Sequence, residues 1–400
     1  MMGLMSDSDP GPTPARLASV DAYRGFVMFL MMAEVLHLAA LAQAKPDSGF
    51  WTLLAKHQEH VEWVGCTLHD LIQPSFSFLV GVALPFSIAG RLAKGQPKTR
   101  MTAHAFWRAL VLVVLGIFLR SVGKPQTNYT FDDTLTQIGL GYGFLFLLGF
   151  RPARDQWVAL GVILVGYWAA FAMYTPGPGF ESARVGVSTD WPYHVNGFAA
   201  HWDKNANLAW RVDTWFRNHF PRPVPFAVHP GGYATLSFLP TLGTMVLGLI
   251  AGGVLRGGRP AWGKVGWFVA AGAVCLLAGW GLGELGVCPV VKRIWTPSWV
   301  LFSGGWCFLL LAAWYAAVDL LGLGALAFPL VVIGMNSIAA YCLTGLIKGF
   351  ISQTFSTHLG PDVFQALDPE YESLLRGAAV LLVLWLILFW MYRRRIFLRV

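Results

Sequence analysis

The stretch His57-Gln58-Glu59-His60-Val61-Glu62-Trp63-Val64-Gly65-Cys66-Thr67-Leu68-His69-Asp70 holds three histidines and three carboxylates within fourteen residues. Histidine moves protons near neutral pH, and a neighbouring carboxylate orients it and stabilises its charged form. His60 and Asp70 are therefore the candidate catalytic pair. Each residue also has a structural reading. His57 reads as a solvated loop histidine, and so could His60. Asp70 opens an apolar run, where a carboxylate caps exposed N–H groups and complements the helix dipole. His69, beside it, would hydrogen-bond at the membrane surface. The spacing of His57, His60 and His69 fits no standard metal motif, and no metal is assigned.

Glu34 stands apart, inside the apolar run Met31-Met32-Ala33-Glu34-Val35-Leu36-His37. An intramembrane carboxylate is expensive and marks a functional site by default. His37, three residues on, reads as lying on the same helix face. The structural alternative is an ion pair with Arg108 or Arg120. Either way Glu34 is expected to face the bundle interior, with Arg108, Arg120, His37 or the 292–298 segment as its partner. Gln73, Gln137 and Tyr341 read as interhelical hydrogen-bonding groups. Asn336, in Gly334-Met335-Asn336-Ser337, is singled out as a candidate ligand contact.

The elements that must position these groups follow from composition. The chain has 400 residues, of which 56% are hydrophobic and only 12% charged, against roughly 25% charged in ordinary soluble domains. A soluble enzyme is excluded as the parent class. Ten apolar runs are legible, at roughly 24–43, 68–92, 104–122, 134–150, 157–174, 234–255, 265–286, 298–318, 325–349 and 373–392. Each can cross a hydrocarbon core of ~30 Å as a helix. The period-2 alternation of a barrel is absent. The fold class expected is all-α: a single transmembrane domain over 1–400, built as a bundle of about ten helices.

The net charge of +8 reflects basic short loops, which resist crossing the membrane. No basic, aromatic-interleaved stretch suggests nucleic acid. With the N-terminus inside, the inner loops collect Arg16, Arg24, Arg91, Lys94, Lys98, Arg100, Arg151, Arg154, Arg256, Arg259, Lys264, Arg393, Arg394, Arg395 and Arg399. The outer loops hold fewer. Both termini are thus expected in the cytoplasm, and residues 175–233 form one long external loop. That loop, rich in Trp191, His194, His201, Trp202 and Trp215, is either a lid over an outer cavity or a passive aromatic cap. Residues 1–15 are polar, and no A-x-A site follows the first run, so the first span doubles as the targeting signal. Of five cysteines, Cys66 and Cys288 lie near segment ends, which leaves a disulfide between them open. No internal repeat is evident.

Together these residues resemble the heparan-α-glucosaminide N-acetyltransferase family and its bacterial relatives. The family's opening Ser-x-Asp-x-x-Arg-Gly phrase, after a basic residue, is matched by Arg16-Leu-Ala-Ser19-Val-Asp21-Ala-Tyr-Arg24-Gly25. A His-x-x-Trp-x-Gly-x-Thr-x-x-Asp phrase is matched by His60, Trp63, Gly65, Thr67 and Asp70. Pro74-Ser-Phe76-Ser-Phe78-Leu-Val-Gly81 follows, and then Pro230-Gly-Gly232, where the family has a similar Pro-Glu-Gly phrase. Lys292-Arg-Ile-Trp295-Thr296-Pro-Ser298 and Gly334-Met335-Asn336-Ser337 look like two later family motifs.

The resemblance implies a multi-pass acyltransferase of a bacterial inner membrane. Its co-substrate would be cytoplasmic acetyl-CoA, and its acceptor a carbohydrate amine or hydroxyl on the other side. It places the catalytic histidine on His60 and the nearby aspartate on Asp70, with Glu34, Trp63, Lys292, Trp295 and Asn336 as ligand contacts. Lipid is the remaining partner implied, and a homodimer is left open. One departure stands out. The animal enzyme has an asparagine near the end of the first catalytic span, where counting from Gly25 gives Glu34 and Val35 here. A carboxylate donates no hydrogen bond unless protonated, so the ligand contact there differs. Two other readings compete: a permease for a sugar or related solute, with Glu34 and His37 as proton relay, and a structural membrane subunit. A cavity running from the cytoplasmic face to His60 favours the transferase; a single closed site beside Glu34 favours transport.

Overall fold

In lipid every backbone N–H and C=O must be satisfied within the protein, so the apolar runs fold as helices. The computed structural model describes residues 17–360, 362–365 and 368–398. Arg16 and Arg399, counted above among the inner-side charges, lie outside the described residues.

The first run is α1 (Ala18–Met32), continued by a 3₁₀ turn over Ala33–Leu36 and then α2 (Leu38–Ala44). The short helix α3 (Gly49–Gln58) follows, then α4 (Ile72–Ala93), α5 (Lys98–Ser121), α6 (Thr134–Leu148) and α7 (Ala153–Ala172). After the long loop with its helix α8 (Leu208–Phe216) come α9 (Phe238–Arg256), α10 (Ala261–Glu284) and α11 (Pro297–Trp314). The chain ends with α12 (Gly324–Met335), α13 (Ser337–Leu359) and α14 (Glu372–Arg393). Among the described residues there is no strand, only the isolated bridge Val64–Val291. The protein is an all-α, multi-pass membrane protein.

All ten apolar runs fall on helices. Among the described residues seven helices are long and apolar enough to cross a membrane, or up to nine when the bent pairs α1 with α2 and α12 with α13 each count as one span. The remaining run, α6, has 15 residues. At 1.5 Å per residue it is ~22 Å long, shorter than a typical hydrocarbon core.

Small residues let these helices meet backbone to backbone. A Cβ on Gly248 of α9 would stand 1.9 Å from the Phe78 carbonyl oxygen of α4. One on Gly25 of α1 would stand 1.8 Å from the Leu330 carbonyl oxygen of α12. Without a hydrophobic force between helices in lipid, such close packing is a main source of their association.

The 175–233 loop is tied down rather than draped. Trp202 is buried in an aromatic and aliphatic cluster with Trp63, Phe171 and Val291, and it stacks on Phe171 at 6.3 Å. Asp213 accepts the Thr235 N–H at 3.1 Å and pairs with Arg217 at 3.5 Å. Burial pushes the Asp213 carboxyl up to about 6.

Candidate active site

The segment carrying the histidines and the segment before α11 lie side by side. Val64 and Val291 form their antiparallel bridge, and the Gly65 N–H donates to the Val290 carbonyl at 3.1 Å. Gly65 has φ +121°, which glycine alone adopts cheaply. Arg293 ties in a third segment, donating to the carbonyls of Val61 at 3.2 Å and Gly231 at 3.0 Å. Thr296 caps α11 by accepting the Trp299 N–H at 3.2 Å. The tight turn before it, with Trp295 at φ +52°, delivers Lys292 to the histidine segment.

His60, Asp70 and Lys292 converge. His60 Nδ1 lies 2.8 Å from Asp70 Oδ1. Lys292 Nζ lies 3.2 Å from the same oxygen and 3.0 Å from His60 Nδ1. The two contacts at Nδ1 exclude one another, because one needs a proton on that nitrogen and the other a lone pair. The Asp70 contact is the shorter, and Lys292 keeps its bond to Oδ1 in either case. We therefore assign the proton to Nδ1, which leaves Nε2 as the basic atom.

Asp70 divides its two oxygens between other groups, and neither caps the helix that follows, the role its position had suggested. Oδ2 accepts the N–H groups of Val61 at 3.2 Å and Thr67 at 3.0 Å, while Oδ1 faces His60 and Lys292. Burial lowers the pKa of the 4% exposed Lys292, with Asp70 opposing. Burial also lowers the pKa of His60; the Asp70 hydrogen bond opposes and the Lys292 charge reinforces this. The imidazole is thus neutral at pH 7. Cys66, close by, has its thiol pushed up by burial, so it supplies no thiolate nucleophile.

Glu34 faces the bundle's cavities, as expected, but its partner is none of the groups considered from sequence. His69 Nε2 lies 3.0 Å from Glu34 Oε1, and the rings of His69 and His60 are 4.6 Å apart. His37 is not on the same helix face either. The helix breaks there, with His37 at φ +49° and a bend of 46°. The break is tolerated because the Gln58 amide fills both freed groups, donating to the Ala33 carbonyl at 2.6 Å and accepting the Leu38 N–H at 2.9 Å. Arg108 instead donates to the Tyr142 hydroxyl at 3.2 Å.

The other candidates are brought together less closely. Trp63 is buried against Trp191, with ring centroids 5.9 Å apart. Trp295 is buried and donates to Thr244 Oγ at 3.1 Å. Neither lines a cavity described below; both position the segments that do. Asn336 sits at the bend between α12 and α13, donating to the Ile396 carbonyl at 2.9 Å and accepting the Leu398 N–H at 3.1 Å, so its amide clasps the C-terminal segment. Cys66 and Cys288 are free thiols, not a disulfide.

Three cavities meet along this line. A central one of about 420 Å³ is lined by Glu34, His60, His69, Lys292, Arg120 and Tyr341, among others. A vestibule of about 740 Å³ shares Glu34, His60 and His69 with it, and adds His37, Gln58 and Glu59. A third, of about 630 Å³, shares Thr134 and Tyr341 with the central cavity and is lined by Arg24, Arg91 and Arg108 with no carboxylate.

No family model matches the chain. Among curated proteins it is 24% identical to the heparan-alpha-glucosaminide N-acetyltransferase of Homo sapiens, across 96% of this chain. It is 23% identical to the protein of the same name from Mus musculus, across 82% of this chain. The chain is a distant relative of the heparan-alpha-glucosaminide N-acetyltransferases. It spans 60% and 53% of the length of these two relatives.

His60, Asp70 and Lys292, singled out by the sequence, lie together in the structure; other residues beside them were not anticipated. His69 was passed over because a histidine beside an aspartate at a helix start has an ordinary surface role, and its partner lies thirty-five positions away. Arg91 reads from sequence only as a loop charge, and Arg24 as a loop charge and a family motif residue; neither reading places them on a cavity wall.

Proposed function

We propose that this chain, as a single transmembrane domain, is an acyltransferase carrying an acetyl group from cytoplasmic acetyl-CoA to a carbohydrate amine or hydroxyl on the external side. The observation that carries the proposal is the chain of shared cavity walls: basic cavity, central cavity with His60, vestibule. This row of cavities suits a transferase, which must bring two substrates to one histidine, better than a single site beside Glu34 would. Three guanidinium groups in the basic cavity suit the phosphates of a CoA. Arg24 and Arg91 also belong to the side that loop charges assign to the cytoplasm of a bacterial inner membrane, together with both termini. The 175–233 loop is then external.

At the junction, His60 Nε2 takes the proton of the attacking acceptor or carries the acetyl group as an acyl-imidazole. Asp70 fixes the ring and its tautomer, and burial together with the Lys292 charge disfavours the protonated imidazole. Right-side-out membrane vesicles loaded with acetyl-labelled acetyl-CoA and given external glucosamine test this. Labelled N-acetylglucosamine should appear outside. Product formed only when both substrates share one face would overturn the transmembrane reading.

A further inference from the structure

We propose that the vestibule is a recognition site for a protonated amine, in which Glu34, braced by His69, binds the acceptor's ammonium and takes its first proton. This rests on the acyl transfer proposed for His60.

The vestibule's lining carries two carboxylates, Glu34 and Glu59, and no Lys or Arg. The basic cavity at the other end is lined by arginines without a carboxylate. Charge therefore changes sign along the path, anion-binding at one end and cation-binding at the other. Glu34 lies where the vestibule meets the central cavity. Its side chain is 45% exposed; one oxygen is held by His69, and Oε2 has no hydrogen-bond partner among the described residues. The His60 and His69 rings lie side by side, and Glu34 and His60 both line the two cavities that meet there. Lys348 shares the central-cavity wall with Glu34 but does not line the vestibule.

The proton count of the reaction calls for such a group. An amine is an ammonium near neutral pH and must lose one proton to gain its nucleophilic lone pair. Its nitrogen loses a second after the new C–N bond forms. His60 holds one proton at a time. It takes the second, and passes it to the sulfur as the C–S bond breaks and CoA leaves as a thiol. The first needs another base beside the acceptor. Glu34 takes it as the amine binds and releases it to vestibule water after each cycle. A hydroxyl acceptor has only one proton to lose and needs no such partner, so Glu34 selects amines over hydroxyls.

The test uses the purified full chain with acetyl-CoA, glucosamine and glucose as probe acceptors, and release of the CoA thiol as readout. Wild type should favour glucosamine over glucose in kcat/KM. Glu34→Gln should cut that preference by about tenfold or more, the size of one charge-assisted hydrogen bond, through a raised glucosamine KM with the acetyl-CoA KM held. Glu34→Asp should retain the preference. If Glu34→Gln loses all turnover, the aspartate variant decides: a preference kept supports the assignment, and an equal loss overturns it. An undiminished preference in Glu34→Gln, with His60→Ala inactive, overturns the amine site and leaves acyl transfer standing. Thiol release by wild type no greater than by His60→Ala overturns both.

Discussion

At the scale of single residues, the site rests on one carboxylate with divided duties. Asp70 Oδ2 folds the 61–67 segment while Oδ1 faces the imidazole, so orientation of His60 is built into the local fold. Burial and the Lys292 charge hold the His60 pKa below its ordinary value near 6.5. The base form is then present above that lowered pKa and lost as pH falls through it. Transfer kcat/KM should have its acid limb below about pH 6.5. Lys292→Met removes a cation that disfavours imidazolium, so the limb should move to higher pH, with more activity lost at pH 6 than at pH 8; an unmoved limb would show that His60 does not feel Lys292. His60, Asp70 and Lys292 were legible in the sequence, the first two from residue chemistry within fourteen positions. His69 was not, because its role is set by Glu34 on another helix, and no local pattern encodes that pairing.

At the scale of elements, the helices were legible because long apolar runs have only one way to satisfy their backbone in lipid. Where they break was not. Proline was the available signal, yet α4 runs through Pro85 and α12 through Pro329. The breaks fall at His37 and Asn336 instead. At the first the Gln58 amide fills the freed backbone groups, and at the second the Asn336 amide holds the C-terminal segment in the bend; both are tertiary facts. Helix contacts at glycine are similarly specific. Gly248→Ala drives a Cβ into the α4 backbone and should lower the thermal unfolding midpoint, at a cost of about 1–3 kcal/mol. Gly253→Ala, on the same helix with nothing within 4 Å, should leave the midpoint unchanged or raise it, since alanine suits a helix better. Equal effects of the two would mean that α4 and α9 do not approach as closely as described.

At the scale of the whole molecule, the chain separates charge along its cavities: arginines at one end, carboxylates at the other, and His60 between. Composition and apolar runs announced a membrane bundle. They did not announce neighbouring cavities with shared walls, because lining residues come from helices far apart in sequence, such as Thr134 and Tyr341. The long loop, pinned by Trp202 and Asp213, packs against Trp63 and so supports the histidine segment. The central claim is that acyl transfer passes through His60. Its most direct test is CoA release from acetyl-CoA and glucosamine by purified His60→Ala beside wild type, with the thermal shift given by acetyl-CoA as a check on folding and binding. The account predicts a fall in turnover of about 10²–10⁴-fold with the acetyl-CoA shift retained. Wild-type turnover in His60→Ala would contradict it.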